Sequence, residues 1–129
     1  MSEAMLEHAN ITVPDANKTA DMLCRIFGWR IRRSGSAIDG GVSIHVGGEG
    51  SYLAVYTPKN IETPNDNSYT TVGGLNHVGV LVHDIAATEA KVKEAGLETY
   101  SHADYAPGLR FYFRDHDGIE FEVVSYPDP

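Results

Sequence analysis

The sequence predicts an α+β fold made of two copies of one unit, with the order strand, helix, then three strands (βαβββ). Three observations predict it: a strand-like segment recurs, helix-capping residues follow each copy, and glycines with alternating strands recur after each helix. We expect the two copies to form a half-barrel or cupped mixed β-sheet, with the helices on its convex side. The length of 129 residues suits one compact domain.

The opening strands carry the clearest repeat. Leu-Glu-His-Ala-Asn-Ile-Thr-Val at 6–13 recurs as Leu-Asn-His-Val-Gly-Val-Leu-Val at 75–82. The alternation in both segments is typical of a strand with one face buried. His8 and His77 therefore occupy equivalent positions, with an offset of 69 from position 8 to position 77.

A helix is predicted after each opening strand. Asp15 and Asp84 are placed to cap the helix N-termini, and Gly28 and Gly96 suit the left-handed residue that ends a helix. Each helix has an apolar stripe that can cover a sheet. The two stripes are Ala16, Thr19, Leu23 and Ile26 in the first helix, and Ile85, Thr88, Val92 and Ala95 in the second.

The later strands are predicted from the alignment of the two copies after the helices. From the pair Gly28 and Gly96 onward, equivalent residues are expected to differ by 68 in number, without a gap. It pairs Gly40 with Gly108 and Gly50 with Gly118. The segments that it aligns are a strand (42–46 with 110–114), a hairpin turn (47–50 with 115–118) and a closing strand (52–56 with 120–124). By this alignment Ala54 is the counterpart of Glu122.

The domain organisation follows from these alignments. We expect a single domain in which module one spans 5–56, a linker spans 57–74 and module two spans 75–126. The linker is polar and contains Pro58, Pro64 and several asparagines. Its length suits a passage between two half-sheets or two subunits.

Composition limits the kinds of partner. The 18 acidic and 10 basic residues give a net charge of -8, which disfavours nucleic acid and anionic membranes and favours a small-molecule substrate. The N-terminus lacks a cationic segment followed by an apolar run, and no stretch reaches the length of a membrane span. Cys24 is the only cysteine, so no intrachain disulfide can form. We expect a cytoplasmic protein.

Three side chains are predicted to converge on the concave side of the sheet. Each opening strand turns its apolar residues towards the helix, so His8 and His77 face the opposite side. In the closing strand Phe121 and Val123 take the helix side, which sends Glu122 to the face of the histidines. Two imidazoles and a carboxylate are a common ligand set for a divalent metal that keeps open positions. The alternative is that these are hydrogen-bonded structural residues.

Other polar residues have two interpretations each. Glu120 is either a base near the metal or a solvated carboxylate. Arg110 and Tyr112 share a strand face and either bind an anionic substrate or lie on the rim of the sheet. Tyr52 and Tyr56 are interpreted as pocket walls. The remaining histidines are interpreted as non-ligands: His45, His83, His102 and His116.

The sequence resembles the vicinal oxygen chelate superfamily, which includes glyoxalase I, fosfomycin resistance proteins, extradiol dioxygenases and bleomycin resistance proteins. The residues that carry the resemblance are Leu-Glu-His at 6–8, Leu-Asn-His at 75–77, Phe-Gly-Trp at 27–29 and the run Phe-Arg-Asp-His-Asp-Gly-Ile-Glu-Phe-Glu at 113–122. The last run is similar to the family's Asp-Pro-Asp-Gly hairpin, which is followed by a ligand glutamate. The resemblance implies that Glu122 is that ligand.

The resemblance also implies a range of activities. Relatives such as glyoxalases place a fourth ligand at the position of Ala54, and alanine cannot ligate. The pattern implies one divalent ion (Mn, Fe, Ni, Zn or Co), a homodimer, and lyase, isomerase or thiol-transfer chemistry on a small oxygen-rich substrate. Two alternatives are a drug-binding protein of the bleomycin resistance type and an extradiol-type dioxygenase.

Overall fold

The computed structural model of the chain describes residues 3–37, 39–63, 67–105 and 108–126. The chain divides into two compact units, Met1–Glu62 and Thr63–Pro129. In the described residues, each unit has one helix and one four-stranded mixed sheet. The predicted α+β class and the order of elements in both copies are confirmed.

The first unit has the sheet order β1-β4-β3-β2. Strand β1 runs parallel to β4, and the other neighbours are antiparallel. The ligand candidate His8 therefore lies on an edge strand, directly beside Tyr52 of the closing strand. The elements are β1 (His8–Thr12), α1 (Ala16–Phe27), β2 (Arg30–Ser36), β3 (Val42–Gly47) and β4 (Tyr52–Thr57).

The second unit repeats this topology with the order β5-β8-β7-β6. Strand β5 is again an edge strand that runs parallel to the closing strand, with Gly79 opposite Glu122. His77 comes immediately before β5 in the chain. The elements are β5 (Val78–Leu81), α2 (Ile85–Glu94), β6 (Thr99–Tyr105), β7 (Gly108–Arg114) and β8 (Glu120–Ser125).

Both helices begin and end as the sequence predicts. The Asp15 carboxylate accepts a hydrogen bond from the backbone N–H of Lys18, and Asp84 accepts one from Ala87. Gly28 and Gly96 have φ angles of 70° and 82°, in the left-handed region that glycine tolerates best. Local capping chemistry therefore defines the helix boundaries in both units.

The two helices differ in how much they bury. In α1 the predicted stripe is fully buried, together with Ala20 and Met22. In α2 only Thr88 and Val92 are buried and Ile85 is half-buried. The prediction for Ala95 is wrong, because Ala95 is the C-cap residue, where the chain leaves the helix, and its side chain is exposed.

The predicted gapless offset of 68 is wrong for the third strand of each unit. His45 lies opposite Ala54, whereas Tyr112 lies opposite Glu122. His45 is therefore the counterpart of Tyr112, which is an offset of 67. Burial agrees, because Ile44 matches Phe111 and Val46 matches Phe113 as the helix-side residues: Ile44 2% exposed, Phe111 1%, Val46 0% and Phe113 0%.

The shift has a local cause in the hairpin turn. The turn holds four residues (48–51) in the first unit and five (115–119) in the second. In the longer turn, Asp115 Oδ1 accepts hydrogen bonds from the backbone N–H groups of Asp117 and Ile119. The equivalent of Gly108 is accordingly Gly41 and not Gly40. Gly41 and Gly108 each lie against the carbonyl oxygen of the last residue of the closing strand, where a Cβ would clash.

Candidate functional site

Three side chains of the second unit lie within hydrogen-bond distance of the Glu122 carboxylate, and two of them, Arg110 and Tyr112, donate to it. Its Oε1 lies 3.1 Å from His77 Nε2, and its Oε2 accepts from Arg110 Nη1 at 2.7 Å and from the Tyr112 hydroxyl at 2.9 Å. The side chains of Glu122 and Arg110 are 13% and 16% exposed, so this ion pair is largely shielded from water. Four of the predicted site residues therefore lie together.

The orientation of His77 is fixed from both sides of its ring. Its Nδ1 lies 2.7 Å from Asn76 Oδ1, and its Nε2 faces the Glu122 carboxylate. A neutral imidazole has one N–H and can satisfy only one of these two acceptors. Two neutral arrangements meet this limit. Either Nε2–H donates to Glu122 and the Asn76 amide turns its NH2 group to Nδ1, or Nδ1–H donates to Asn76 and a cation lies between the Nε2 lone pair and Glu122.

The donor set fits a divalent metal. With Nδ1 hydrogen-bonded to Asn76, His77 presents its Nε2 lone pair as a ligand, which is how metal-binding histidines are usually held. The 3.1 Å between His77 Nε2 and Glu122 Oε1 is close to the spacing of about 3 Å between neighbouring ligand atoms of a metal with bonds of about 2.1 Å. The distance is therefore compatible with two ligand atoms of one metal, and the role of His77 and Glu122 as ligands stays a prediction.

A cavity of about 320 Å³ opens beside His77. It is large enough for a small organic molecule. Its aromatic wall includes the near-parallel rings of Tyr100 and Tyr112, whose centroids are 6.3 Å apart. The lining residues are Tyr69, Asn76, His77, Tyr100, Ser101, Tyr112 and Glu120.

Two of these lining segments were not predicted from the sequence. Tyr69 lies in the predicted linker, where the turn after Asn67 is closed by hydrogen bonds from the N–H groups of Thr70 and Thr71. Ser101 has a φ of 54°, at a bulge in β6. Such a backbone conformation is uncommon for serine and is often found at functional sites. Serine, unlike glycine, does not indicate a positive φ, so this conformation could not be predicted from the sequence.

Glu120 is not the solvated carboxylate that was one interpretation. It is 6% exposed, and its Oε2 accepts a hydrogen bond from the Tyr100 hydroxyl at 2.5 Å. The Arg114 Nη2 atom lies 3.6 Å from Glu120 Oε2. Burial, and to a lesser extent the charge of Glu122, raises the pKa of Glu120. A buried carboxyl with a raised pKa on the wall of a cavity is a candidate for proton transfer.

In the first unit His8 belongs to a stack of three rings. Its centroid lies 4.9 Å from Tyr52, and the His45 centroid lies 4.6 Å from Tyr52 on a near-parallel plane. Arg32 lies over the Tyr52 ring at 4.6 Å. We call His8, Tyr52 and His45 the aromatic cluster of the first unit. Tyr52 packs against a predicted ligand, and its predicted role as a pocket wall stays a prediction.

His8 is held by the residue before it, as His77 is. Its Nδ1 lies 2.9 Å from Glu7 Oε1, which leaves Nε2 for a ligand. The hydrogen bond with His8 lowers the pKa of Glu7, so Glu7 is a carboxylate and the acceptor. Because His8 belongs to the first unit, its place in one site with His77 and Glu122 stays a prediction.

Two further positions of the first unit differ from the second. Ala54 is 1% exposed and brings no polar group to the position that Glu122 holds. Tyr56 lies on the same strand, and its hydroxyl donates to Asp39 Oδ2 at 2.5 Å. That hydrogen bond raises the pKa of Tyr56. The Tyr56 hydroxyl therefore has a structural partner within its own unit.

A separate group of candidate ligands lies in the hairpin turn of the second unit. Asp115, His116 and Asp117 offer ligand atoms within 4.8 Å of one another. Asp115 is buried, and burial raises its pKa. Because Asp115 caps two N–H groups of the turn, its position is accounted for by the hairpin.

The family model of the glyoxalase/bleomycin resistance protein/dioxygenase superfamily matches residues 5–123. The chain belongs to this superfamily. Its vicinal oxygen chelate fold accounts for the two βαβββ units, and the resemblance inferred from the sequence is confirmed. No curated protein matches the sequence of the chain.

Several solved structures share the superfamily fold. A glyoxylase/bleomycin resistance protein/dioxygenase domain from Frankia sp. EAN1pec has a TM-score of 0.82 at 19% identity and covers 98% of this chain and 95% of that chain. The antibiotic binding protein TnmS3 from Streptomyces sp. CB03234 has a TM-score of 0.76 at 18% identity, covering 98% and 99%. At these identities the likeness shows the fold alone.

Fosfomycin resistance protein FosX from Listeria monocytogenes is also similar. Its complex with Mn(II) and sulfate has a TM-score of 0.70 at 18% identity and covers 98% of this chain and 95% of that chain. The superfamily fold therefore occurs both in a protein that holds a metal ion and in one that binds an antibiotic. Neither described helix of this chain is long and apolar enough to cross a membrane.

Proposed function

We propose that this chain is a divalent-metal-dependent enzyme in which His8, His77 and Glu122 bind one metal ion. The substrate is a small oxygen-rich molecule, and the reaction is of the lyase, isomerase or thiol-transfer type. The observation that carries the proposal is the pair His77 Nε2 and Glu122 Oε1, which lie 3.1 Å apart while His77 Nδ1 is held by Asn76. When His77 Nδ1–H donates to Asn76, the Nε2 lone pair and the Glu122 carboxylate oxygen face each other.

The environment of Glu122 supports a ligand role through one of its two oxygens. Arg110 and Tyr112 both donate to Oε2, so they orient the carboxylate and leave Oε1 directed at His77. Outer hydrogen bonds of this kind commonly position metal ligands. Arg110 and Tyr112 then act as positioning residues, in addition to the substrate-binding role that the sequence predicts.

The residues around the cavity supply the rest of the chemistry. A divalent ion bound at the three ligands supplies Lewis acidity, which stabilises negative charge as it develops on a substrate oxygen. Glu120 lines the cavity and is held by Tyr100, so it can hold or accept a proton beside the substrate. Tyr52 and Tyr56 remain candidates for contact with the substrate from the first unit.

A second candidate function is binding without catalysis. Arg110, Tyr112 and His77 all lie within hydrogen-bond distance of the Glu122 carboxylate, and this network is satisfied without a metal when His77 Nε2–H donates to Glu122. The cavity would then bind an aromatic ligand between its tyrosines. TnmS3, an antibiotic binding protein, has the same fold.

We further propose that the protein is a homodimer. The strands β1 and β5 are edge strands of their sheets, and large apolar side chains near them are exposed: Met5 81%, Leu6 84% and Leu81 64%. Exposed apolar residues beside an unpaired edge favour association with a second copy. Light scattering coupled to size-exclusion chromatography gives the mass directly, and a monomer at micromolar concentration would contradict this proposal.

The test of the metal proposal is elemental analysis of untagged protein purified without chelator. We expect about one divalent ion per chain in the wild type, and loss of the ion in His77→Ala and in Glu122→Ala. His83→Ala is the matched control, because His83 is an exposed histidine just before α2. Circular dichroism shows whether each variant is folded.

The outcomes separate the two candidate functions. One ion per chain that is lost in both site variants but kept in the control supports the enzyme. A folded wild type that takes up no ion after incubation with Mn, Fe, Co, Ni or Zn overturns the metal proposal. In that case, tight binding of an aromatic ligand that is weakened by Tyr100→Ala supports the binding protein.

A further inference from the structure

A second cavity of the second unit opens between α2 and the strands β6 and β7. Its volume is about 290 Å³, which is close to the smallest size usual for a ligand pocket. Neither His77 nor Glu122 lines it, so it is distinct from the cavity beside His77. Its lining combines three apolar side chains with three ionisable ones: Ile85, Leu109 and Phe111, and Glu89, His102 and Asp104.

The equivalent positions on the helix of the first unit are packed against its sheet. The N-cap aspartates align the two helices with an offset of 69, so Glu89 corresponds to Ala20 and Ile85 to Ala16. Ala20 is 0% exposed and Ala16 is 2% exposed. Ile85 is only half-buried, and the Glu89 side chain is 21% exposed. The second unit therefore has an acid and a partly uncovered apolar side chain where the first unit has two buried alanines.

Glu89 is held through one of its two oxygens. Its Oε2 accepts hydrogen bonds from the Thr99 hydroxyl at 2.5 Å and from His102 Nε2 at 2.6 Å. Lys93 Nζ lies 3.7 Å from the same oxygen. Among the residues that the structure describes, none forms a hydrogen bond or an ion pair with Oε1. Glu89 is therefore held in place on the cavity wall while its Oε1 is available to a ligand.

The charges of the lining favour a cationic ligand over an anionic one. The hydrogen bond from Thr99 lowers the pKa of Glu89, so this side chain is a carboxylate. Asp104 adds a second acidic group to the lining. Arg110 also lines the cavity, but its Nη1 donates to the Glu122 carboxylate. An anion in the cavity would face two acidic side chains, whereas a cation would be attracted by both.

The apolar side chains of the lining favour a ligand with an apolar body. Leu109 is 42% exposed and Ile85 is half-buried, so both still present apolar surface to water. The rings of His102 and Phe111 lie near-parallel, with centroids 6.0 Å apart. A hydrocarbon or aromatic group in the cavity would remove this surface from water, which is favourable in proportion to the area covered.

We propose that this cavity binds a small amine with an apolar body. The ammonium group pairs with Glu89 Oε1, and the apolar body lies against Ile85 and Leu109. A charged donor forms a stronger hydrogen bond with a carboxylate than a neutral hydroxyl does, so the site favours an amine over an alcohol of the same shape. The site requires no metal ion, so this inference goes beyond the proposed function and does not depend on it.

The experiment uses 2-phenylethylamine as the probe and 2-phenylethanol as its neutral counterpart. Each is titrated into the ¹⁵N-labelled protein at neutral pH, and backbone amide shifts are followed by NMR. We expect the amine to shift the amides of residues 85–89 and 102–104. We expect it to bind at least about fivefold more tightly than the alcohol, because only the amine forms an ion pair with the partly shielded carboxylate.

Two variants separate the contributions of charge and apolar contact. Glu89→Gln keeps the shape of the side chain and removes its charge, so we expect the affinity for the amine to fall to that for the alcohol. Leu109→Ser removes apolar surface, and we expect it to weaken both probes to a similar extent. The control is Glu94→Gln, because Glu94 is an exposed glutamate of the same helix. We expect the control to bind both probes as the wild type does.

The position of the shifts and the preference for the amine decide the proposal. It is overturned if millimolar amine leaves the amides of residues 85–89 unshifted, or shifts only those around Tyr69 and His77. Equal affinities of the wild type for amine and alcohol also overturn it, as does an unchanged amine affinity in folded Glu89→Gln. If Glu89→Gln does not fold, the wild-type preference together with Leu109→Ser decides, and unchanged binding in Leu109→Ser overturns the proposal.

Discussion

The two units have the same topology but use it differently. In the first unit His8 stacks on Tyr52, which also stacks on His45, and position 54 is alanine. In the second unit His77 faces a carboxylate that also accepts hydrogen bonds from Arg110 and Tyr112. The comparison shows that the repeat preserved the strand order and the orientation of one histidine per unit, while the surrounding side chains diverged.

The difference in helix burial gives the largest expected effect on stability. Ile26 in α1 is 1% exposed, whereas Ile85 in α2 is half-buried. We expect Ile26→Ala to lower the free energy of unfolding by about 3 kcal/mol and Ile85→Ala by about 1 kcal/mol, because the buried site loses more contacts and keeps a larger cavity. Urea denaturation measures both. Equal losses would show that α2 is as tightly packed as α1.

The Glu122 network, which the first unit lacks, gives the next effect. Glu122→Gln removes the charge that Arg110 faces while it keeps the shape of the side chain. We expect the free energy of unfolding to fall by about 2 kcal/mol, since a shielded guanidinium loses its counter-charge. The control is Glu49→Gln at the exposed Arg30–Glu49 pair, where we expect a change below about 0.5 kcal/mol. Similar values for the two variants would mean that the Glu122 network does not stabilise the fold.

The partners of the two histidines are expected to matter equally for metal affinity. Glu7 holds His8 Nδ1, and Asn76 holds His77 Nδ1. We expect Glu7→Ala and Asn76→Ala each to weaken Co²⁺ binding by roughly tenfold, because each ring loses its fixed orientation. Isothermal titration calorimetry measures the affinities. A loss confined to Asn76→Ala would show that His8 is not a ligand.

The helix caps are the most alike features of the two units. We expect Asp15→Ala and Asp84→Ala each to lower the free energy of unfolding by about 1 kcal/mol, because each removes the acceptor for an N–H of the first turn. Denaturant titration of the two variants makes the comparison. A much larger effect for one of them would mean that its aspartate also contributes to tertiary packing.

The smallest expected effect is a dependence of fold stability on pH. It arises from Glu120 in the second unit, and the equivalent residue of the first unit is Tyr52. The pKa of Glu120 is raised by burial, so the folded state binds this proton more tightly than the unfolded state. Stability is therefore lost as the pH rises from the ordinary glutamate pKa of 4.5 towards the raised value. Thermal melts of Glu120→Gln between pH 4 and 8 should show a flatter profile than those of the wild type. An unchanged profile would contradict the raised pKa.

Much of the fold was predictable because its signals are local. Asp15, Asp84, Gly28 and Gly96 act within one helical turn, and the alternation around His8 and His77 is visible in short segments. The register of the third strands was not predictable, because one extra residue in a hairpin turn shifts the strand without changing its alternation. A one-residue shift is the smallest change that moves every side chain to the opposite face.

The candidate site divides in the same way. The sequence identified His77, Glu122, Arg110 and Tyr112, which the structure brings together, because the repeat showed which residues share a face. It did not identify Tyr69, Tyr100 or the position of His45. Tyr69 comes from a turn within the predicted linker, and Tyr100 precedes a bulge, where alternation no longer predicts the face.

By itself the sequence determined the superfamily, the two βαβββ units and the helix boundaries. It also predicted, for one histidine in each unit, the face of the sheet on which the side chain lies. These depend on residue type and on spacing within a few residues. Only the tertiary structure decided that Glu120 is buried, that Glu122 lies within hydrogen-bond distance of three side chains, and that His45 lies opposite Ala54. These properties depend on which strands pair and in what register, and pairing is decided by contacts between residues that are distant in the chain.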